Sequence, residues 1–139
     1  MILQVGVKAF LSNGDGKYLL LHRSPIKYPG TRGTWDIPGG RIEIGTKLID
    51  NLRREVKEET QLEITSEPTL IAAQDIIPNE EKNVVRLTYF ARADGEPVLD
   101  TEENIEYKWV SLAELKQHED VDIYVRELIE KGYLNTFEI

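Results

Sequence analysis

The sequence predicts a mixed α and β fold of the α/β class, an α/β/α sandwich around a central mixed sheet, and three observations carry that prediction. Several stretches alternate apolar and polar residues with period two, others repeat apolar residues at i, i+4, and strands and helices interleave along the chain. With 139 residues, 40% apolar and 30% charged, the chain has the size and composition of one domain, taken here as 1–139, able to bury a core without staples.

The elements follow in order. Leu3, Val5, Val7 and Ala9 alternate with Gln4, Gly6 and Lys8, which marks a strand over 3–9. Asn13-Gly14-Asp15-Gly16 is a hairpin turn, because glycine and Asn or Asp accept positive φ. A second strand returns over 17–22, with Tyr18-Leu19-Leu20-Leu21 buried. Residues 24–34 hold Pro25, Pro29, Gly30 and Gly33 and read as an irregular loop of functional length. A helix over 47–60 places Leu48, Leu52 and Val56 on its buried stripe, with Ile49 beside them. Strands follow over 69–77 and 83–93, joined by 78–82, and a short one over 106–110. Ser111 and Glu114 form a capping box for a brief helix, and a longer helix over 121–131 stops at Gly132 as its C′ residue.

Composition narrows the function. The net charge is −8, which argues against an electrostatic nucleic-acid partner. No apolar run reaches the roughly 18–20 residues that span a bilayer, so no membrane partner is expected. The first residues read as a strand, not a signal peptide. With no cysteine, disulfide and thiol chemistry are excluded, and a cytoplasmic location is expected.

The chemistry concentrates in Trp35-Asp36-Ile37-Pro38-Gly39-Gly40 and Arg54-Glu55-Val56-Lys57-Glu58-Glu59. On a helix Glu55 and Glu58 are i,i+3, and Glu55 and Glu59 are i,i+4, so three carboxylates crowd together. Each like-charge pair costs the helix roughly 0.2–0.5 kcal/mol, a repulsion that a divalent cation turns into binding. Magnesium takes oxygen ligands of this type together with waters and substrate phosphates. The glycines let the backbone approach a metal or phosphate closely.

From Gly40 the chain reads GRIEIGTKLIDNLRREVKEETQL, which resembles the signature box of the Nudix hydrolases. Gly40, Arg54, Glu55, Val56, Glu58, Glu59 and Leu62 match the box, whereas Thr46 replaces its first Glu and Gln61 its last Gly. The resemblance implies the sandwich fold and a Mg2+ or Mn2+ site formed by Glu55, Glu58, Glu59 and the Gly39 carbonyl. It also implies that Arg54 orients the carboxylates, that Gly39 and Gly40 approach the substrate, and that Arg23 contacts phosphate. A Glu before the last strand, Glu102 or Glu103, completes the metal site or shares with Glu58 the role of base. Thr46 is expected to N-cap the helix, with Glu43 partly replacing the missing carboxylate; Gln61 is expected to alter the helix end, since it enters the left-handed region less readily than glycine. Trp35 is expected in the core, and neither His22 nor His118 in catalysis.

The implied reaction is hydrolysis of a phosphoanhydride in a nucleoside diphosphate linked to a moiety X, with nucleoside triphosphates favoured. Pro78, sixteen residues after Leu62, loosely suggests an ADP-ribose or other nucleotide-sugar pyrophosphatase. A nucleotide-binding domain without catalysis, acting as a sensor, is a third reading. The partner is a small nucleotide, and a homodimer is compatible with the family.

Overall fold

Two neighbouring strands show how this sequence builds one sheet with a core on each side. In the computed structural model, whose description covers residues 1–30 and 34–137, β1 (Ile2–Ser12) turns into β2 (Tyr18–Arg23). The turn is held by Asn13 Oδ1, which accepts from the backbone N–H groups of Asp15 and Lys17, and by Gly16 at φ 72°. Because side chains alternate across a strand, Phe10 and Leu20 enter one cluster while Ala9, Leu11, Leu19 and Leu21 enter the other. Helix α1 (Leu48–Thr60) covers the second cluster with Leu52 and Val56. Helices α2 (Leu112–Gln117) and α3 (Ile123–Glu130) cover the first with Leu115, Val125, Leu128 and Ile129. This is the expected α/β/α sandwich.

The sheet also contains β3 (Trp35–Asp36), β4 (Gly39–Arg41), β5 (Thr69–Asn79), β6 (Lys82–Arg92) and β7 (Asn104–Val110). Its order is β3-β2-β1-β6-β5, with β4 added to β1 and β7 to β2. It is mixed, as expected: β1 and β6 run parallel, and the other pairs among the described residues are antiparallel. The β1–β4 register sets Gly39 opposite Lys8 and Gly40 opposite Val7, next to the start of the box.

Several boundaries differ from the sequence reading. β1 runs on to Ser12 because it pairs with β6 along its whole length, so Leu3 stays in the strand although it is exposed. β5 and β6 extend through the expected connector over 78–82, leaving a tight hairpin in which Asn79 pairs with Lys82. Asp122 precedes α3 as its N-cap and accepts from Tyr124 N and Val125 N. Gly132 stops that helix at φ 79°, and the Ser111–Glu114 capping box is present, both as expected. Of the loop expected over 24–34, residues 31–33 lie outside the described residues.

Both ends of α1 correct the expectation. Thr46 is not its N-cap: Lys47 holds that position in an extended conformation (φ −66°, ψ 148°), and no side chain caps the helix. Thr46 lies one residue further out, where its N–H donates to Glu43 C=O at 3.1 Å. At the other end Gln61 takes the left-handed conformation after all (φ 62°, ψ 10°), the one non-glycine residue with positive φ among those described. Its N–H donates to Lys57 C=O, and Lys57 Nζ donates back to Gln61 C=O at 3.2 Å. Left-handed backbone costs an L-residue about 1–2 kcal/mol. Gln61→Gly is therefore expected to stabilise the fold by about 1 kcal/mol, a Tm gain of roughly 2–6 °C. An unchanged or lower Tm in a thermal melt contradicts that strain.

Candidate active site

Helix α1 meets the β4 backbone where glycine removes every side-chain obstacle. A Cβ on Gly40 would lie 2.6 Å from Glu55 Oε2, and one on Gly39, at φ 142°, 2.1 Å from Val7 O. The close approach brings Gly39 N–H to Glu59 Oε1 at 3.4 Å. Glu55 and Glu59 are thus half-buried against the glycine backbone, while Glu58, one turn around the helix, is exposed.

Arg54 organises this cluster. Its Nη1 donates to both oxygens of Glu58 at 3.1 Å, and its Nη2 lies 3.1 Å from Glu55 Oε1 and 3.6 Å from Glu43 Oε1. Asn51 Oδ1 accepts from the same Nη2 at 3.0 Å. Glu43 thus lies near Arg54 but is exposed and outside the cleft lining.

The residues frame a cleft of about 720 Å³ that gathers most of the sequence candidates: Arg23, Gly39, Gly40, Glu55, Glu58, Glu59 and Glu103 all line it. Of the two acids before the last strand, Glu103 faces the cleft; Glu102 is exposed and outside it. Glu103 accepts from Lys27 Nζ and, at 2.5 Å, from Tyr28 OH, so the loop after β2 closes one wall. Arg23 is not an exposed strand-end charge. Its Nη2 donates to Asp36, and to Asp122 Oδ1 at 2.9 Å.

Arg23 belongs to a buried ion network that the sequence reading missed. Asp36 accepts from Lys8 at 3.1 Å, from Arg23, and from Arg86 Nη2 at 3.1 Å; Asp122 accepts from Arg23 and from Arg86 Nη1 at 3.1 Å. Three cations share two carboxylates, with Asp36, Arg86 and Asp122 each buried. The network pins the start of α3 to the cleft floor and turns the cations Lys8, Arg23 and Arg86 toward the cleft. Its faint signal in the sequence was Lys8 and Arg86 in the middle of long strands, since a charge that the sheet buries demands partners.

Electrostatics separate the carboxylates. Burial pushes Glu59 up to about 8, with Glu55 and Asp36 adding to the rise and Lys8 and the Gly39 N–H opposing it. Burial raises Glu55 too, against the pull of Arg54. For Asp36 burial acts in the same direction, but Lys8, Arg86 and Arg23 outweigh it and hold the carboxyl far below the usual carboxylate range. Burial would also raise Glu103, yet the hydrogen bonds from Lys27 and Tyr28 keep it below its ordinary value.

The donor set suits a hard divalent cation. Glu55 and Glu59 are crowded, under-neutralised oxygen ligands beside a glycine backbone whose missing Cβ leaves the approach open. Among the described residues, however, no three acidic or histidine side chains are already gathered around one point. Glu58 has turned its carboxylate onto Arg54, which explains why the third carboxylate is not gathered, and its exposure gives it room to turn back. Thr46→Glu restores the carboxylate that the box carries at this position. With no cap to lose, it is expected to lower the magnesium concentration for half-maximal turnover at unchanged Tm; an unchanged metal titration contradicts this.

Trp35 packs against the core, as expected, and stacks on His22 at 4.6 Å between ring centroids, with Lys108 Nζ 4.1 Å from its ring. Neither His22 nor His118 lines the cleft.

Comparison with known proteins agrees with this arrangement. The family model for the NUDIX domain matches residues 2–131. The nucleoside triphosphatase NudI of Escherichia coli is 30% identical over 136 residues, covering 89% of this chain and 94% of that protein. The human 8-oxo-dGDP phosphatase NUDT18 is 34% identical over 68% of this chain, but the match spans 26% of the human protein, about a quarter of its length. Among solved structures, a MutT protein from Methanosarcina mazei superposes with a TM-score of 0.80 at 27% identity, covering 99% of this chain and 96% of that one. Among the described residues no helix is long and apolar enough to cross a membrane. A family match over nearly the whole chain, on a fold that sets the box carboxylates against the Pro-Gly-Gly backbone, makes this chain a member of the Nudix hydrolase family.

Proposed function

We propose that this domain, over 1–139, is a magnesium- or manganese-dependent pyrophosphohydrolase that cleaves a phosphoanhydride bond of a nucleoside triphosphate. The single observation that carries this reading is that one cleft gathers Glu55, Glu58 and Glu59 together with Lys8, Arg23, Lys27 and Arg86. A polyphosphate chain with bound cation complements both sets of charges. The full-length similarity to NudI supports a triphosphate over other nucleotide derivatives. Pro78, which suggests a nucleotide-sugar substrate, sits at the β5–β6 hairpin opposite the start of β1, six residues from Lys8, or about 20 Å away at strand rise. Within one chain it is remote from the cleft.

The residues divide the work. Glu55, Glu58, Glu59 and the Gly39 carbonyl would hold the cation, which when bound would neutralise phosphate charge and acidify a water. Arg54 fixes Glu55 and Glu58 by charge-assisted hydrogen bonds. Gly39 and Gly40 admit the phosphates to the backbone, and Arg23, steadied by Asp36 and Asp122, turns a guanidinium edge to them. Glu58 and Glu103 are the carboxylates placed to take the proton from the attacking water. Lys27 and Tyr28 hold Glu103 in its ionised form, and their hydrogen bonds to its two oxygens also make it the weaker base of the pair.

The test is a screen of nucleoside triphosphates and nucleoside diphosphate derivatives with magnesium or manganese, reading released pyrophosphate, phosphate and nucleoside monophosphate. A triphosphate turned over to monophosphate and pyrophosphate is expected. Tight nucleotide binding with no turnover of any compound would make the domain a nucleotide sensor instead.

A further inference from the structure

We propose that Asn51 is a positioning residue for Arg54, supplying from within α1 part of the restraint that Thr46, lacking a carboxylate, does not. The proposal rests on the assignment of the Arg54–Glu59 cluster as the reaction site. Asn51 is fully buried, as are Leu52, Val56 and Thr60 of the same helix, and a buried amide is costly unless its polar atoms are satisfied. Here both ends of the amide are used. Oδ1 accepts from Glu43 N at 2.9 Å and from Arg54 Nη2 at 3.0 Å, and Nδ2 donates to Arg41 O at 3.1 Å.

One side chain thereby ties three things together: the strand leaving Gly40, the backbone at Glu43, and the guanidinium that grips Glu55 and Glu58. The grip is directional. Nη1 is committed to the two oxygens of Glu58, and Nη2 is shared by Glu55 and Asn51, so the Asn51 oxygen fixes the rotation of the guanidinium plane. The other carboxylate near Nη2, Glu43, stands at 3.6 Å and is largely exposed, which makes it a loose restraint. Thr46 contributes its backbone N–H to Glu43 and no helix cap. Without Asn51, Nη2 is free to follow Glu43 toward solvent, carrying Glu55 and Glu58 out of register.

A purely structural Asn51 would only satisfy Arg41 O and Glu43 N, and a double-mutant cycle separates the two roles. Turnover, KM and Tm are measured for Asn51→Ala, Asn51→Asp, Arg54→Ala and the Asn51→Ala/Arg54→Ala double variant. The Arg54 guanidinium NMR signals of the metal-free protein are recorded alongside. Asn51→Ala is expected to lower kcat roughly tenfold, the size of one lost hydrogen bond to a charged group, with KM within about twofold. It should cost nothing further in the Arg54→Ala background, and Asn51→Asp, which keeps the acceptor oxygen, should recover most of kcat. The Arg54 Nη signals should average in Asn51→Ala. Equal losses of kcat in both backgrounds, or no rescue by a folded Asn51→Asp, overturn the proposal. Absence of any hydrolysis by the wild type counts against the parent reading, and the Arg54 signals then decide: unchanged Nη signals in Asn51→Ala overturn the positioning role.

Discussion

Glu59→Gln is expected to lower turnover at least a hundredfold while making the metal-free protein more stable. The loss is what the proposed cation site requires of Glu59, because Glu58 is turned to Arg54 and Glu55 already faces Gly40. The gain follows from linkage. A carboxyl raised from 4.5 to about 8 favours its neutral form in the fold, so its stabilising contribution is complete below pH 4.5 and is lost as pH rises through 8. Glutamine is neutral throughout. The Tm of the variant should therefore pull ahead of wild type between pH 4.5 and 8 and stay ahead above it. Magnesium should narrow the gap by raising the wild-type Tm alone. Glu58→Gln is expected to show a similar loss of turnover without the pH-dependent gain. Near wild-type turnover in either variant at saturating magnesium, or a Glu59→Gln Tm that never exceeds wild type at pH 9, contradicts the account.

Asp36→Ala carries the largest expected cost in stability, about 3–5 kcal/mol, as for one partner removed from a buried ion pair. The carboxylate accepts from Lys8, Arg23, Arg86 and the Ile37 N–H, so its loss leaves Arg23 and Arg86 sharing Asp122, and Lys8 bonded to the Ile37 carbonyl. Against a domain stability of roughly 5–15 kcal/mol this is a large share. Because the folded pKa of Asp36 is depressed, its contribution is present above about pH 4, the unfolded value, and is lost as pH falls toward the folded one. Urea denaturation at pH 7 should show the full cost, with the difference between variant and wild type shrinking in acid. A cost below about 1 kcal/mol at pH 7 contradicts a network of this strength.

What could be read from the sequence was local. The box spacing named Glu55, Glu58 and Glu59, and alternation in β1 named the face that carries Val7 and Ala9, because both depend on neighbours in the chain. The Ser111 capping box and the Gly132 stop were legible for the same reason. The Asp36–Arg23–Arg86–Asp122 network was not, since it joins residues from β2, β3, β6 and the start of α3 whose adjacency exists only after the sheet is ordered. Asn51 was invisible because its neighbours at helical spacing, Lys47, Arg54 and Glu55, are charged, so periodicity does not mark its side of the helix as buried. The expected Thr46 cap failed for a subtler reason: the helix begins one residue later, and capping depends on that single register. Gln61 entered the left-handed region against its preference because the hydrogen bonds with Lys57 hold it there.

The most direct test of the central claim, that the α1 carboxylates and the glycine backbone form a cation site, is a calorimetric titration of Mg2+ and Mn2+ into the wild type and into the Glu55→Gln/Glu59→Gln variant at pH 8.5, where wild-type carboxylates are largely ionised. Saturable binding to the wild type, with proton release, is expected, and its loss in a variant that remains folded. Equal binding by both proteins would place the metal elsewhere and contradict the site.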